Sequence, residues 1–192
     1  NVPALNSGAD IKAKDANIAT VSGTKVIFAD TFNLASKTVA QILAQVEPKA
    51  ATDAGATMKV LNATSGTEVA AGATFVVGMV IEVTPEDESA AKEYTITSEA
   101  LEALSAAKSA VEGATYTLTV ADHNTEAAAK AYVEGVVNGL AEVTGKGFTV
   151  TVTGTHTPGT AGTTDGSYVF TVKLAAEGFD VTTSTLTKTI TQ

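Results

Sequence analysis

The sequence predicts an α+β, β-rich fold in which two small modules follow each other, each an antiparallel sheet packed with one or two helices. The chain has 192 residues, which suits two domains of about 95 residues each. Hydrophobic residues make up 44% of it, but aromatic residues only 5%, and Trp is absent. Val, Ile, Leu and Ala must therefore form the cores. Short alternating apolar runs between turn residues, interspersed with a few runs at helical spacing, predict the strands and helices.

The expected domain organisation has three parts. We expect a linker or edge extension over residues 1–14, a first β-rich module over 15–97 and a second α+β module over 98–192. The two modules end alike, at Tyr94–Thr97 and Lys188–Thr191. This short internal echo supports a boundary near residue 97.

The first module is predicted to start with a β-prone run at Thr24–Ala29, followed by one helix. Ser36 is placed to cap this helix and Pro48 to end it. Its apolar residues follow the spacing of one buried helical face: Val39, Ile42, Leu43 and Val46.

Strand signals fill the rest of the first module. Met58 and Val60 alternate with polar neighbours, and a further apolar run lies at Phe75–Val77. In the run from 79 to 84, the residues expected to face inward are Met79, Ile81 and Val83. Those expected to face outward are Val80, Glu82 and Thr84. The closing strand carries Tyr94 and Ile96.

The second module is predicted to open with a helix that Ser98 caps and Gly113 ends. Its apolar residues are Leu101, Leu104 and Val111. A strand with Tyr116, Leu118 and Val120 follows. A second helix then begins near Asn124 and Glu126 and ends at Gly145–Gly147, and its stripe is Ala129, Val133, Val136, Val137 and Leu140.

The remainder of the second module is predicted to be β-structure. Phe148, Val150 and Val152 alternate with Thr, and a long hairpin loop covers Gly154–Gly166. The returning strand alternates again, with Tyr168, Phe170, Val172 and Leu174. Leu186 and Ile190 close the chain.

Charge and composition exclude several classes of partner and chemistry. The formal net charge is -9, and all 12 basic residues are Lys. A nucleic-acid binder needs a basic face and usually Arg, so we expect no nucleic-acid partner. Anionic lipid is disfavoured for the same reason. The absence of Cys excludes disulfides, thiolate chemistry and Cys-ligated metal sites within this chain.

The sequence shows no signal for membrane insertion. It contains no run of about 18 to 20 apolar residues, the length that spans a bilayer. The start at Asn1–Ala4 has neither an initiator Met nor a charged region followed by an apolar stretch. We therefore interpret the chain as a processed or excised segment of a longer protein.

Two sets of segments resemble repeats of bacterial surface proteins. Segments 56–60, 66–67, 80–87 and 92–96 are similar to a module of S-layer-type and other cell-wall-associated proteins, although Glu88 and Ser89 replace its usual turn Gly. The second module resembles a tandem repeat of large exported proteins. The resemblance lies in segments 107–112, 125–130, 157–162 and 165–172. The resemblance implies secretion and a parent protein of several modules, and it implies no catalytic residues.

The histidines are the first candidates for a metal site. His123 and His156 lie in predicted loops, 33 positions apart, and no His-x-x-x-His spacing is present. A zinc site could combine them with Asp122 or Glu126, whereas the simpler interpretation is a pair of solvated polar residues.

The acidic run Glu86–Glu88 is a candidate calcium site, because this ion prefers several carboxylate and carbonyl oxygens. It lacks the Asp-x-Asp-x-Asp-Gly pattern and falls at an expected hairpin tip, so a solvated turn is favoured.

The sequence gives little support for a hydrolase, glycosidase or phosphate-binding site. No Gly-x-Ser-x-Gly elbow is present, and no pattern brings two carboxylates into one cleft for glycoside hydrolysis. The loop at Gly154–Gly166 lacks the Gly-x-x-x-x-Gly-Lys pattern of a phosphate cradle. As a loop it is still a place where a ligand could bind, with Tyr168 as the nearest aromatic residue, or simply a flexible tip.

We therefore expect a non-catalytic structural, spacer or assembly segment of an exported bacterial surface protein, located outside the cell or on its surface. No catalytic, cofactor-binding or metal-binding residue is assigned. Expected partners are neighbouring modules of the same parent protein or other copies of it, and cell-wall polymer or glycan. The alternative is an extracellular ligand-binding module for glycan or adhesion, although only four Tyr and no Trp are present for stacking on sugars. Two further hypotheses are an enzyme fragment with its active residues elsewhere in the parent protein, and a Lys–Asn cross-link inside a module.

Overall fold

The computed structural model describes residues 4–192. It divides the chain into two compact units, residues 1–99 and 100–192. Each unit combines helices with a five-stranded sheet, so the predicted α+β, β-rich class is confirmed. The division follows Glu99, whereas the sequence placed the boundary at residue 97.

The first unit is built around a mixed sheet with the strand order β2-β3-β7-β6-β5. Its strands are β1 (Ile11–Ala13), β2 (Ala19–Ser22), β3 (Lys25–Phe28), β4 (Val46–Pro48), β5 (Thr57–Asn62), β6 (Met79–Thr84) and β7 (Lys92–Ser98). β3 and β7 run parallel, so the sheet, predicted as antiparallel, has antiparallel pairs and one parallel pair. The long connection between these two strands allows a parallel pairing that a short hairpin would not.

The N-terminal stretch is part of the first unit. β1 pairs with β4 in a separate two-stranded sheet, and Ile11 is buried. Residues 11–13 thus contribute to the fold, where the sequence suggested a linker or edge extension. Val46 lies in β4 and not on the predicted helix.

The helix of the first unit, α1 (Val39–Leu43), is shorter than predicted. Thr38 caps it in place of Ser36: the backbone N–H of Gln41 donates to Thr38 Oγ1 at 3.4 Å, and the Thr38 N–H donates to Gln41 Oε1 at 2.9 Å. Ser36 instead lies in a 3₁₀ turn, Leu34–Ser36. Its hydroxyl donates to the Asn33 carbonyl. The reciprocal bonding of Thr38 and Gln41 is a capping box, which fixes the start of the helix.

Two expectations for the strands of the first unit are wrong. Residues 75–77 form no strand: Phe75 is buried, but Val76 and Val77 are 60% and 62% exposed. The Met79 N–H donates to the Val76 carbonyl, and Gly78 has a φ of 97°, so this segment is a tight turn before β6. In β6, Val80 is buried as well as Met79, Ile81 and Val83, so it is not a solvent-facing residue as the alternation predicted.

The second unit has helices α2 (Glu99–Gly113), α3 (Val120–His123) and α4 (Glu126–Gly139). Its strands are β8 (Leu118–Thr119), β9 (Thr149–Thr157), β10 (Gly166–Ala176), β11 (Phe179–Thr182) and β12 (Leu186–Thr191). β10 pairs with β9 along one side, and with β12 and then β11 along the other. β12 and β8 are parallel, so this sheet is also mixed.

The helices of the second unit cover the apolar face of its sheet. The core residues that they supply are Leu104, Ala107, Val111, Val120, Ala129, Val133 and Val137. Leu101, Val136 and Leu140 are only half-buried. α4 ends at Gly139, earlier than the predicted Gly145–Gly147, because Leu140 is extended and its N–H donates to the Val137 carbonyl.

The β9–β10 hairpin is longer than predicted. β9 runs through Gly154 to Thr157, so only residues 158–165 connect the two strands. The predicted loop at Gly154–Gly166 is therefore correct over residues 158–165 and wrong at its two ends, which belong to β9 and β10. The predicted inward stripe of β10 is correct: Tyr168, Phe170, Val172 and Leu174 are all buried.

Gly154 leaves room for an aromatic ring of the core. A Cβ at this position would lie 2.8 Å from Tyr168 Cζ and 2.6 Å from the Val169 carbonyl oxygen. Tyr168 thus lies over the glycine and stacks on Phe170, with ring centroids 5.2 Å apart. An aromatic ring that covers a strand glycine is a known device for fixing register.

We predict that Gly154→Ala lowers the free energy of unfolding by about 1–3 kcal/mol, because the added methyl group overpacks this contact. Gly135→Ala is the control in the same unit. Gly135 lies on α4, where an added Cβ would meet no atom within 4 Å, so this variant should gain about 1 kcal/mol from helix propensity. Urea unfolding of the two variants measures both changes, and equal effects would contradict the proposed packing.

Candidate functional site

The two histidines have separate structural roles. His123 Nδ1 accepts a hydrogen bond from the Thr119 N–H at 3.0 Å, and its ring meets Tyr132 edge-on at 4.5 Å. Asp122 accepts a hydrogen bond from the Thr119 hydroxyl at 3.2 Å. His156 lies on β9, opposite Tyr168, and not in a loop. Among residues 4–192, no three His, Asp or Glu side chains are grouped closely enough to hold a metal ion.

The acidic run Glu86–Glu88 also has local structural roles. Glu86 Oε2 accepts hydrogen bonds from the Asn6 backbone at 3.1 Å and the Asn6 side chain at 2.9 Å. Asp87 Oδ1 accepts the Ser89 N–H. The Ser89 side chain first, and then this backbone bond, lower the pKa of Asp87. Glu88 has a φ of 57°, the left-handed turn conformation. These carboxylates therefore fasten an N-terminal segment and shape a turn.

The hairpin connection, which the sequence left as a flexible tip or a possible place for a ligand, is bonded to Asn124 between α3 and α4. Asn124 Nδ2 donates to the Gly159 carbonyl at 3.0 Å, and Asn124 Oδ1 accepts the Gly159 N–H at 2.7 Å. The side chain thus pairs with the loop backbone in the manner of a neighbouring strand. Tyr168 lies in the core and is fully buried, so it cannot serve this loop as an exposed aromatic residue.

Two buried polar atoms in the second unit form no hydrogen bond within the part of the chain that the structure describes. They are Tyr168 Oη and His156 Nε2. Burial raises the pKa of Tyr168, and the charges of Glu126 and Glu134 raise it further. Tyr116 differs, since its hydroxyl donates to the Val111 carbonyl at 3.0 Å. Burial also raises the pKa of Tyr116.

A polar cleft of about 290 Å³ lies in the first unit. At its edge, Lys92 Nζ lies 2.6 Å from Asp10 Oδ1, and the Tyr94 hydroxyl donates to the same oxygen at 3.0 Å. Lys12 and Lys49 also line the cleft. These bonds lower the pKa of Asp10 and raise that of Lys92.

Buried Asp53 holds the wall of this cleft in place. Its two carboxylate oxygens accept the Asp10 N–H at 3.1 Å and the Ala50 N–H at 2.9 Å. Gly8 passes so close that a Cβ would overlap Asp53 Oδ1. The sequence did not predict this site, because the residues that form it come from segments that are about 40 residues apart or more along the chain.

β9 forms an edge of the sheet in the second unit. Within residues 4–192, it pairs with β10 on one side and with no other strand. Five threonines face outward along it, and all are exposed: Thr149, Thr151, Thr153, Thr155 and Thr157. No residue of β9 is Asp, Glu, Lys or Arg, although charged residues are a common protection of such edges.

Lys59 contacts Glu82 at 2.8 Å, and Lys188 lies over the ring of Tyr116. The Lys–Asn cross-link remains a hypothesis. No helix in residues 4–192 is both long and apolar enough to cross a bilayer. Comparisons with protein-family models, curated proteins and solved structures found no match.

We predict that Tyr168→Phe raises the free energy of unfolding at pH 7 by about 1 kcal/mol, because it removes a buried hydroxyl that has no partner. Tyr116→Phe is the matched control, and it should lose about 1 kcal/mol with its hydrogen bond. Guanidinium unfolding measures both.

The difference in the free energy of unfolding between Tyr168→Phe and the natural chain should increase at alkaline pH. The folded state favours the neutral phenol of Tyr168. The stability that this preference contributes is complete below the pKa of the unfolded state, about 10. It is lost as the pH rises through the raised folded value. A constant difference between Tyr168→Phe and the natural chain from pH 7 to 11 would contradict this assignment.

Proposed function

We propose that this chain is a non-catalytic structural segment of an exported surface protein, and that the edge of β9 joins it to another copy. The observation that carries the proposal is the outer edge of β9, a strand of nine residues without charge. Within residues 4–192, this edge pairs with no other strand. The acidic, Cys-free composition and the two units in series support a structural role outside the cell. The resemblance to repeats of bacterial surface proteins supports the same location.

The length of β9 is sufficient for a specific contact between chains. Nine residues extend about 30 Å, longer than most strands in globular proteins. The exposed backbone groups of an edge strand offer a row of hydrogen-bond donors and acceptors to an incoming strand. The partner can therefore bind without any pocket.

The alternation of β9 favours a second copy as the partner. If two β9 strands pair antiparallel about Thr153, every outward residue of one strand lies opposite a Thr of the other. On the inner face, Val152 lies opposite Gly154, and Val150 opposite His156. Cross-strand Thr pairs are favourable, and a contact with two-fold symmetry closes after two copies.

The absence of charge on β9 also makes this edge a better contact between two copies than the rest of the acidic surface. The net charge of -9 makes two copies repel each other. Because β9 carries no carboxylate, pairing along it brings no acidic side chains of the two strands together. Burial of uncharged Thr and backbone groups is then opposed only by the longer-range repulsion, which salt screens.

Light scattering after size-exclusion chromatography tests the proposal. We expect the chain to form a dimer as its concentration rises, and the double variant Thr153→Lys/Thr157→Lys to raise the dissociation constant about tenfold or more. The physical reason is that the lysines introduced at position 153 of the two copies would face each other at the centre of the contact.

The matched control is Ser167→Lys/Thr171→Lys. These residues lie directly opposite Thr157 and Thr153 on β10, and they change the net charge equally, from -9 to -7. This control should dimerise like the natural chain. A natural chain that stays monomeric, or an equal loss in both variants, would refute assembly through β9.

A ligand-binding module is the second candidate function, and the cleft beside Asp10 and Lys92 is the observation that favours it. Tyr94 is buried, so this cleft offers no exposed ring for stacking on a sugar. Recognition there would depend on charge.

A further inference from the structure

We propose that the cleft of the first unit binds a small oxyanion, a carboxylate or phosphate group, through Lys49 and Lys92. This site is independent of the β9 edge, which belongs to the other unit. Its success or failure therefore leaves the proposed assembly function untouched.

The cleft has the size of a small binding site. Its volume is about 290 Å³, close to the lower limit of about 300 Å³ for ligand pockets. Its walls come from β1, the β2–β3 turn at Gly23, and the start of β7 at Lys92 and Tyr94. Gly23 has a φ of 58°, so a glycine suits this turn beside the cleft.

The charge of the cleft is opposite to that of the chain. Three lysines and one carboxylate line it: Lys12, Lys49, Lys92 and Asp10. Glu47 lies 3.3 Å from Lys12 outside the lining and neutralises it. One positive charge remains in excess even when this pair is counted, although the chain as a whole carries -9. A small anion is therefore attracted locally to a molecule that repels anions overall.

Lys92 is held in position before any ligand binds. Its ammonium group contacts Asp10 Oδ1 at 2.6 Å and lies 5.1 Å from the centroid of the Tyr94 ring. Asp10 is fixed in turn by the Tyr94 hydroxyl and, through its N–H, by buried Asp53. An ammonium group has three donors, so Lys92 can bind an oxyanion without leaving Asp10.

Lys49 supplies the unbalanced charge. Its backbone N–H donates to the Asp10 carbonyl at 2.9 Å, which places the residue beside Asp10 on the cleft wall. Its charge also lowers the pKa of Asp10. An oxyanion between Lys49 and Lys92 would receive charge-assisted hydrogen bonds from both ammonium groups.

Two-dimensional amide NMR at pH 7 tests the site directly. The probes are inorganic phosphate, acetate and glucuronate, each exchanged against sodium chloride at constant ionic strength. We expect saturable shifts at the amides of Lys12, Gly23, Lys49 and Lys92, and the tighter probe identifies the phosphate or the carboxylate as the preferred group. Shifts that do not saturate, or that chloride reproduces, would overturn the proposal.

Three variants test the charge argument. Lys49→Ala should weaken binding about fivefold, and Asp10→Asn should strengthen it about fivefold, the effect of one charge near a surface. The control, Lys59→Ala, removes the same charge from a lysine of this unit that pairs with Glu82 outside the cleft. It should change affinity by less than about twofold at constant ionic strength. Weaker binding by Asp10→Asn, or equal effects of the two lysine variants, would overturn the proposal.

Discussion

The apolar face of β10 organises the second unit. Tyr168, Phe170, Val172 and Leu174 alternate along this strand, and each is at most 1% exposed. α2 and α4 cover them with small and branched side chains, and β9, β11 and β12 pair with the strand edges. In a chain without Trp, the core of this unit is centred on one continuous apolar strand face that includes the buried rings of Tyr168 and Phe170. Every residue of this core cluster lies after residue 103.

The first unit must also form its core without Trp, and it relies on different contacts to do so. Its core combines aliphatic residues such as Ile81 with the buried rings of Phe28 and Tyr94, and several of its other contacts are polar. Asp53 and Glu86 bind backbone groups of the N-terminal segment, so that this segment becomes part of the fold. The same ties create the cleft, because they hold Asp10 against the start of β7. In this unit the polar network that completes the structure also forms the site that we propose for an anion.

The sequence predicted what depends on local patterns. Alternation identified β10 and β7, and helical spacing identified α2 and α4, because each of these elements buries a single face over many residues. Short elements were predicted less well. Val46 fits the spacing of a helix but lies in β4, since pairing with β1 outweighs local spacing. Gly154 resembles a turn residue but lies within β9, where a distant Tyr168 ring needs the space.

The cleft could not be predicted from the sequence. Asp10 and Lys92 are separated by 82 positions, and neither belongs to a motif. Their meeting depends on the pairing of β1 with β4 and on the clamp at Asp53, which are tertiary features. The edge of β9 could be predicted in part, because its alternating Thr residues are visible in the sequence. That β9 pairs only with β10 among the described residues 4–192 is a property of the sheet.

Each unit buries a core of its own, and each should therefore fold without the other. Division of the chain between Ser98, where β7 ends, and Glu99, where α2 begins, tests this most directly. Amide NMR spectra and thermal unfolding of the two separate fragments are the measurement. We expect dispersed spectra and a cooperative transition for each fragment, whereas two fragments that fold only when mixed would contradict separate cores.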